Sequence, residues 1–390
     1  MSPYPAATLT AEFDRLIQAG PACYPYYLRI RDDAAGLHQL LADLDADRFI
    51  LVTDRMVTAR QVGRMHSRLT AIAPCTAQGV TAGEHAKTLA GVMDLADTAI
   101  QAGVTSRSVV VAFGGEQAGK VGGLLAALLY SGIRLVHIPT TLLAMCDSAL
   151  SLKQAVYSPE GNHIGTFHAP QFVWADLNYT KSLPAAEIRS AVCELIKIVL
   201  AIAPERYDWA AGRLRPDAQY STWDLADFTA FCVDAKQRVM AGDPHLRGQG
   251  LALEYGHTIG RAIERLVPGG VSHGLAVGMG LLAAARVAGE LGHLTASDQH
   301  AHRVLLERAG APAVLPYRVP PRDFLGLLHA DSPHGNRRPQ PGIVGMVLLD
   351  KLGSLHLDRG NYVTRVPDRT VDRAITGLLP PLPARPRLAA

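Results

Sequence analysis

What this 390-residue chain lacks narrows the field first. No uninterrupted apolar run is long enough to span a bilayer, so no membrane partner is expected. No block of lysine and arginine stands out. Against 35 acidic residues there are 38 basic ones, a net charge of +3 with a pI near 8.6. That balance is too mild to argue for nucleic acid. The five cysteines, Cys23, Cys75, Cys146, Cys193 and Cys232, are scattered, odd in number and form no CxxC pair. Reduced thiols in a cytoplasmic protein are the simplest reading. The opening MSPYPAATLTAEFDRL has no basic start followed by an apolar run, so no signal peptide is expected. Internal repeats are absent as well.

What is present is a chain that is 48% hydrophobic, enough to bury a sizeable core in two domains or one large one. The first half alternates short apolar runs with amphipathic stretches. RFILVTD, RSVVVAFGG, IRLVHIPTT and QFVWADL read as strands, and RMVTARQVGRMHSRL, AGEHAKTLAGVMDLADTAIQAG and GKVGGLLAALLYSG read as helices. Such alternation, with strands apolar throughout, implies a mostly parallel, Rossmann-like sheet covered on both faces. From about Leu183 the pattern changes. AAEIRSAVCELIKIVLAIA, DLADFTAFCVDAKQRVMAG, LALEYGHTIGRAIERLV and HGLAVGMGLLAAARVAGELG carry apolar residues at helical spacing. The expectation is an α/β domain over residues 1–182 and a mainly α-helical domain over 183–390, ending in the proline-rich LLPPLPARPRLAA.

Two features suggest chemistry. FGGEQAGK follows a strand and opens a helix, which suits either a phosphate-holding loop or merely a tight strand–helix turn. In the helical half, Glu194 and Lys197 share a face, as do Glu254, His257 and Arg261, while His273 opens the next helix. Two histidines and a carboxylate form an open three-ligand zinc-type site, or else the histidines are capping or core residues.

IPTTLLAMCDSALSLKQAV, CELIK, LEYGHTIG and SHGLAVGMG, in that order and at their separations, resemble the sugar phosphate cyclases, the superfamily of 3-dehydroquinate synthase. The DSALSLKQAV and LEYGHT forms are most similar to its 2-deoxy-scyllo-inosose synthase branch. The resemblance spans roughly Tyr24 to Leu357. It implies the dehydroquinate synthase-like fold, a homodimer, and metal- and NAD-dependent carbocycle formation from glucose 6-phosphate in aminoglycoside-type antibiotic biosynthesis. It implies Glu194, His257 and His273 as ligands of a divalent metal, zinc or cobalt. Asp147, Lys153, Lys197, Lys236 and Glu254 then match catalytic positions, Lys236 by spacing more than by motif. Asp54, Glu84, Lys87, Gly114, Gly115, Thr140 and Thr141 match positions that hold NAD.

Some positions depart from the family pattern. Arg261 replaces a second histidine, Glu116 ends a glycine triplet, and Lys120 stands where aspartate or asparagine faces the cofactor. Ser131 replaces a phosphate-binding arginine, a lysine is missing between Gly161 and Asn162, and Asp331–Pro333 replaces a lysine-containing turn. Glu116 and Lys120, at i and i+4, are expected to pair and narrow the cofactor space. Arg261, His334, Arg337 and Arg338 are candidates to replace the lost phosphate grip. Two further readings follow: a metal-dependent lyase or cyclase on a different, unphosphorylated substrate without NAD turnover, or a non-catalytic paralogue supporting a partner.

Overall fold

The near-continuous apolar runs become the middle of a seven-stranded sheet. The structure, a computed structural model, describes residues 12–80, 87–158, 161–266, 269–316, 320–330 and 340–380. Two compact units emerge, Met1–Ile198 with Asp217–Gly250, and Val199–Pro216 with Leu251–Ala390. The first unit keeps helical segments up to Ile198 and over residues 217–250 with the sheet.

In the first unit β1 (Glu12–Ala19) and β2 (Ala22–Arg29) form an antiparallel hairpin. Then come α1 (Ala34–Ala42), β3 (Phe49–Thr53), α2 (Ala59–Thr70), β4 (Cys75–Gly79), α3 (Leu89–Gln101), β5 (Val109–Gly114), α4 (Glu116–Leu128), β6 (Arg134–Pro139) and α5 (Leu142–Cys146). A second hairpin, β7 (Lys153–Ser158) and β8 (Gly161–Phe167), precedes β9 (Phe172–Asp176) and α6 (Ala185–Ala201). After α7 (Tyr207–Arg213), which belongs to the second unit, α8 (Thr222–Gly242) completes the first.

The strand order is β1-β2-β9-β6-β5-β3-β4, parallel throughout except for the first pair. Alternate residues of one strand feed opposite layers. Ile50, Val52, Val110 and Ala112 join the cluster on one face, and Phe49, Leu51, Val109, Val111 and Phe113 the cluster on the other. Burial on both faces is why these strands read as unbroken apolar runs. The chain leaves β3 sideways to β4 and returns across it to β5, so the order reverses between β3 and β5. In open α/β sheets the crevice at the carboxyl ends of such a pair is where ligands bind. Strands β1, β2, β4, β7 and β8 were not expected; CTAQG and GNHIGTF carry no clear apolar alternation.

The second unit holds α9 (His257–Leu266), α10 (His273–Glu290), α11 (Ala296–Arg308), α12 (Pro321–Ala330) and α13 (Asp368–Thr376). Strands β10 (Ile343–Val347) and β13 (Val363–Pro367) pair antiparallel, as do β11 (Leu349–Lys351) and β12 (Ser354–Leu355). LALEYGHTIGRAIERLV was expected to be one helix and is not. A 3-10 turn covers Gln249–Glu254, Gly256 adopts φ +81, and α9 begins at His257. The cause is α10. A Cβ on Gly256 would sit 2.8 Å from Leu281 Cδ2 and 3.0 Å from Leu281 N, and one on Gly260 would lie 3.2 Å from Val277 Cα. A Cβ on Gly280 would collide with the Gly256 carbonyl oxygen. Among the described residues no helix is long and apolar enough to cross a membrane.

This contact gives a test. Gly280→Ala should lower unfolding stability by about 1–3 kcal/mol, the usual range for overpacking a close contact. Gly212→Ala, on an exposed turn of α7 with open space around it, should not lower it. Denaturant titration of both variants is the measurement, and equal midpoints would refute the steric account of the break at Gly256.

Candidate functional site

At the carboxyl ends of β3 and β5, Asp54 occupies the start of α4. Its Oδ2 accepts from the backbone N–H of Gly115 at 2.9 Å and of Ala118 at 3.1 Å, and its Oδ1 from Met56 N at 3.0 Å. Burial pushes the Asp54 carboxyl above its ordinary value, against the pull of those backbone bonds. Gly114 leaves no room for a side chain, since a Cβ would lie 2.7 Å from Ala118 Cβ and 2.9 Å from Asp54 Cγ. The strand–helix turn therefore needs its first glycine for packing alone. Thr141 caps α5, its hydroxyl accepting from Ala144 N at 3.2 Å. Thr140 Oγ1 is buried and finds no hydrogen-bond partner among the described residues. An orphaned buried hydroxyl costs roughly 1–3 kcal/mol, which a ligand at the strand ends would offset. Glu84 lies outside the described residues, as do Asp331–Pro333, His334, Arg337 and Arg338.

The expected pairing of Glu116 with Lys120 is not formed. Glu116 Oε1 meets the buried Lys87 Nζ at 2.9 Å. Lys120 turns its ammonium to two carbonyls, Lys153 O at 2.7 Å and Ser148 O at 3.3 Å. Two carbonyls in fixed positions outcompete a carboxylate on a partly exposed side chain that already has a lysine. Burial brings the Lys120 pKa down to about 7, with Glu116 and Asp147 opposing the shift and Lys87 and Lys236 adding to it.

Further charges are buried in the same unit. Lys236, which spacing alone suggested, is not a solvated helix lysine. It is buried on α8, with Nζ 2.7 Å from Asp147 Oδ1 and 2.8 Å from Asp147 O. Glu194 and Lys197, three apart on α6, form an ion pair of 2.5 Å with both side chains out of solvent. Lys153 opens β7 and is half-buried. Taking such pairs out of water costs about as much as their attraction returns, so stability alone does not explain them.

In the second unit His257 and His273 stand at the first positions of α9 and α10, their ring centroids 5.3 Å apart. His257 Nδ1 lies 3.4 Å from Tyr255 O, and His273 Nδ1 lies 3.1 Å from Glu264 Oε1. An oxygen acceptor at Nδ1 places the proton there and makes Nε2 the basic nitrogen of each ring. Carboxylate or carbonyl support behind an imidazole is how metal-binding histidines are held, so the pair suits a divalent ion. Glu254 does not share the helix of His257, because Gly256 intervenes, yet its Oε2 still meets Arg261 Nη1 at 2.6 Å. The role of Glu264 was missed, although its place seven residues after His257, two turns along, was a usable signal. Also missed was the support beneath Tyr255, whose hydroxyl bonds His302 Nε2 at 2.8 Å inside the core.

Residues 77–190 match the family model of the 3-dehydroquinate synthase N-terminal region, and residues 191–332 that of its C-terminal region. The chain is 41% identical over 364 residues to 2-deoxy-scyllo-inosose synthase of Streptoalloteichus tenebrarius, covering 93% of this chain and 94% of that one. It is 39% identical over 367 residues to the synthase of Streptomyces kanamyceticus, with 93% and 94% covered. A crystal structure of 2-deoxy-scyllo-inosose synthase complexed with carbaglucose-6-phosphate, NAD+ and Co2+ superposes with a TM-score of 0.88 at 30% identity, over 94% of this chain and 100% of that one. A 2-epi-5-epi-valiolone synthase from Streptomyces hygroscopicus shares the fold, with a TM-score of 0.73 at 22% identity.

The bonds of His302 lead to a prediction about acid. Its Nδ1 donates to Asp298 O at 2.7 Å, so its Nε2 accepts from Tyr255 and the ring is neutral. Burial holds its pKa down to about 4. Unfolded histidine takes a proton near pH 6.5, so between 6.5 and 4 the unfolded chain binds the extra proton and stability falls as pH falls. The drop from this residue should total on the order of 3 kcal/mol by pH 4. Urea titrations of wild type and His302→Asn at pH 7 and pH 4.5 should show a smaller loss in the variant. Equal losses would remove His302 from the account.

Proposed function

The chain belongs to the 3-dehydroquinate synthase family, and from that premise we infer that it is a sugar phosphate cyclase of the 2-deoxy-scyllo-inosose synthase type. It converts glucose 6-phosphate to the six-carbon carbocycle 2-deoxy-scyllo-inosose with release of inorganic phosphate, in aminoglycoside-type secondary metabolism. The observation that carries this reading is likeness along nearly the whole chain to synthases of that name, in sequence and in structure. A cytoplasmic homodimer is the proposed form.

The proposed ligands of one divalent ion, zinc or cobalt, are Glu194, His257 and His273, a mixed nitrogen and oxygen set that suits either metal. Support comes from the two Nε2 atoms made basic by their Nδ1 partners. NAD is proposed at the strand ends, held by Asp54, Glu84, Lys87, Gly114, Gly115, Thr140 and Thr141; the reversal of strand order and the orphaned Thr140 hydroxyl support it. Bound there, NAD supplies a hydride acceptor and donor, and the ion supplies Lewis acidity at a substrate oxygen.

The residues of the chain handle charge and protons. Lys153, Lys197 and Lys236 are proposed to balance phosphate and alkoxide charge, with Asp147 fixing the Lys236 ammonium at 2.7 Å. Glu254 is proposed to move a proton to or from the substrate, its carboxylate oriented by Arg261. Ser131 offers no cation to phosphate, so that grip is proposed to rest on the lysines together with the candidates Arg261, His334, Arg337 and Arg338. The reading without redox turnover drew on the departures at Glu116, Lys120, Ser131 and Arg261 together; Glu116 and Lys120 have separate partners, and the likeness to synthases of that name does not favour it.

Wild type with glucose 6-phosphate, NAD and Co2+ should release phosphate and form a ketone product. His257→Ala should reduce kcat/KM by at least about a hundredfold, and Glu264→Gln should weaken metal affinity by about ten- to a hundredfold. No phosphate from wild type would overturn the assignment. A separate expectation concerns Lys120, which gains its charge as pH falls through about 7. A cation there opposes the positive nicotinamide ring, so NAD affinity should weaken from pH 8 to pH 6, and Lys120→Asn should flatten that slope. Calorimetric titration at both pH values decides it.

A further inference from the structure

We propose that the second unit carries a further divalent transition-metal site, formed by His293, Asp350 and His356. His293 Nδ1 lies 3.5 Å and His356 Nδ1 2.7 Å from the same oxygen, Asp350 Oδ1. Donor atoms of all three residues fall within 4.8 Å of one another. Donors about 2.0–2.1 Å from a tetrahedral zinc stand about 3.4 Å apart, so small side-chain rotations bring this set to coordinating distance. The two rings are close and tilted, 3.8 Å between centroids and 34° between planes. Two imidazoles with a carboxylate suit zinc, nickel or copper rather than calcium or magnesium.

The backbone holds the three residues firmly. At the end of α10, Gly292 adopts φ +79, its N–H reaches Gly289 O at 3.1 Å, and His293 N–H reaches Ala288 O at 2.8 Å. That is the paired bonding of a Schellman cap, which sets the direction of His293. Asp350 lies on β11, and His356 follows β12, its N–H bonded to Leu348 O at 2.9 Å. The site therefore joins the end of one helix to a hairpin. Asp350 is about half exposed, which leaves the outer coordination positions to water. None of these residues belongs to the proposed catalytic set.

The test is zinc binding by the full chain, using Zn2+ alone as the probe. Wild type, His356→Ala, His257→Ala and the double variant are titrated calorimetrically, and bound zinc is counted by elemental analysis after gel filtration. His356→Ala should bind one equivalent less than its parent in both backgrounds, and its turnover of glucose 6-phosphate should be unchanged. Asp350→Asn, which preserves shape, should weaken the same equivalent at least tenfold. An unchanged zinc count in His356→Ala, in either background, overturns the proposal. Because each comparison is a difference from its own parent, failure of the His257 assignment leaves this result readable.

Discussion

The crossing of α9 against α10 leaves no space for a side chain at Gly256 or Gly280, and much of the second unit follows from it. The approach ends the 3-10 turn and starts α9 at His257. It brings the first residues of two helices, His257 and His273, within ring contact. Glycine inside a helix costs about 1 kcal/mol relative to alanine, so Gly260 and Gly280 are a local loss that the interhelical contact offsets. The break also frees Tyr255 to reach His302, and the Tyr255 carbonyl faces His257 Nδ1. A core tyrosine, a neutral buried histidine and a candidate metal ligand thus form one chain of support.

The first unit follows a different logic, in which buried charge is held by partners. Glu194 with Lys197, Asp147 with Lys236, and Glu116 with Lys87 each place an ammonium against a carboxylate. Hydrophobic replacements of similar volume would serve stability as well or better. Cations fixed in this way suit a substrate that sheds a phosphate, since positioned charges cost no reorganisation when charge develops.

The α/β half was legible because strands buried on both faces leave runs such as VVVAF, and Phe49–Thr53, Val109–Gly114, Arg134–Pro139 and Phe172–Asp176 all form where those runs stand. The strands that escaped notice have exposed or polar residues and are recognised by pairing, which lies in the partner strand rather than in the segment. Apolar spacing also merged the 3-10 turn with α9, because periodicity does not register a positive φ at one glycine. Among site residues, motif resemblance named candidates that spacing alone left open. Side-chain pairing was the weakest inference. An i, i+4 rule describes an isolated helix, whereas Glu116 and Lys120 each have stronger partners from other elements.

Lys120 shows how a departure from family pattern can be absorbed. A fully charged lysine in place of an aspartate or asparagine would set a cation against an oxidised nicotinamide. Burial acts in the other direction, lowering the pKa to about 7, so the amine is charged only part of the time at pH 7. The carbonyls of Ser148 and Lys153 accept from the amine whether or not it carries the extra proton. The side chain is therefore anchored in both states, and its position does not depend on its charge. Lys153 supplies its backbone to that anchor while its own side chain matches a catalytic position. The substitution thus ties α4 to the start of β7, where an aspartate, lacking any proton to donate, would be repelled by the same two carbonyls.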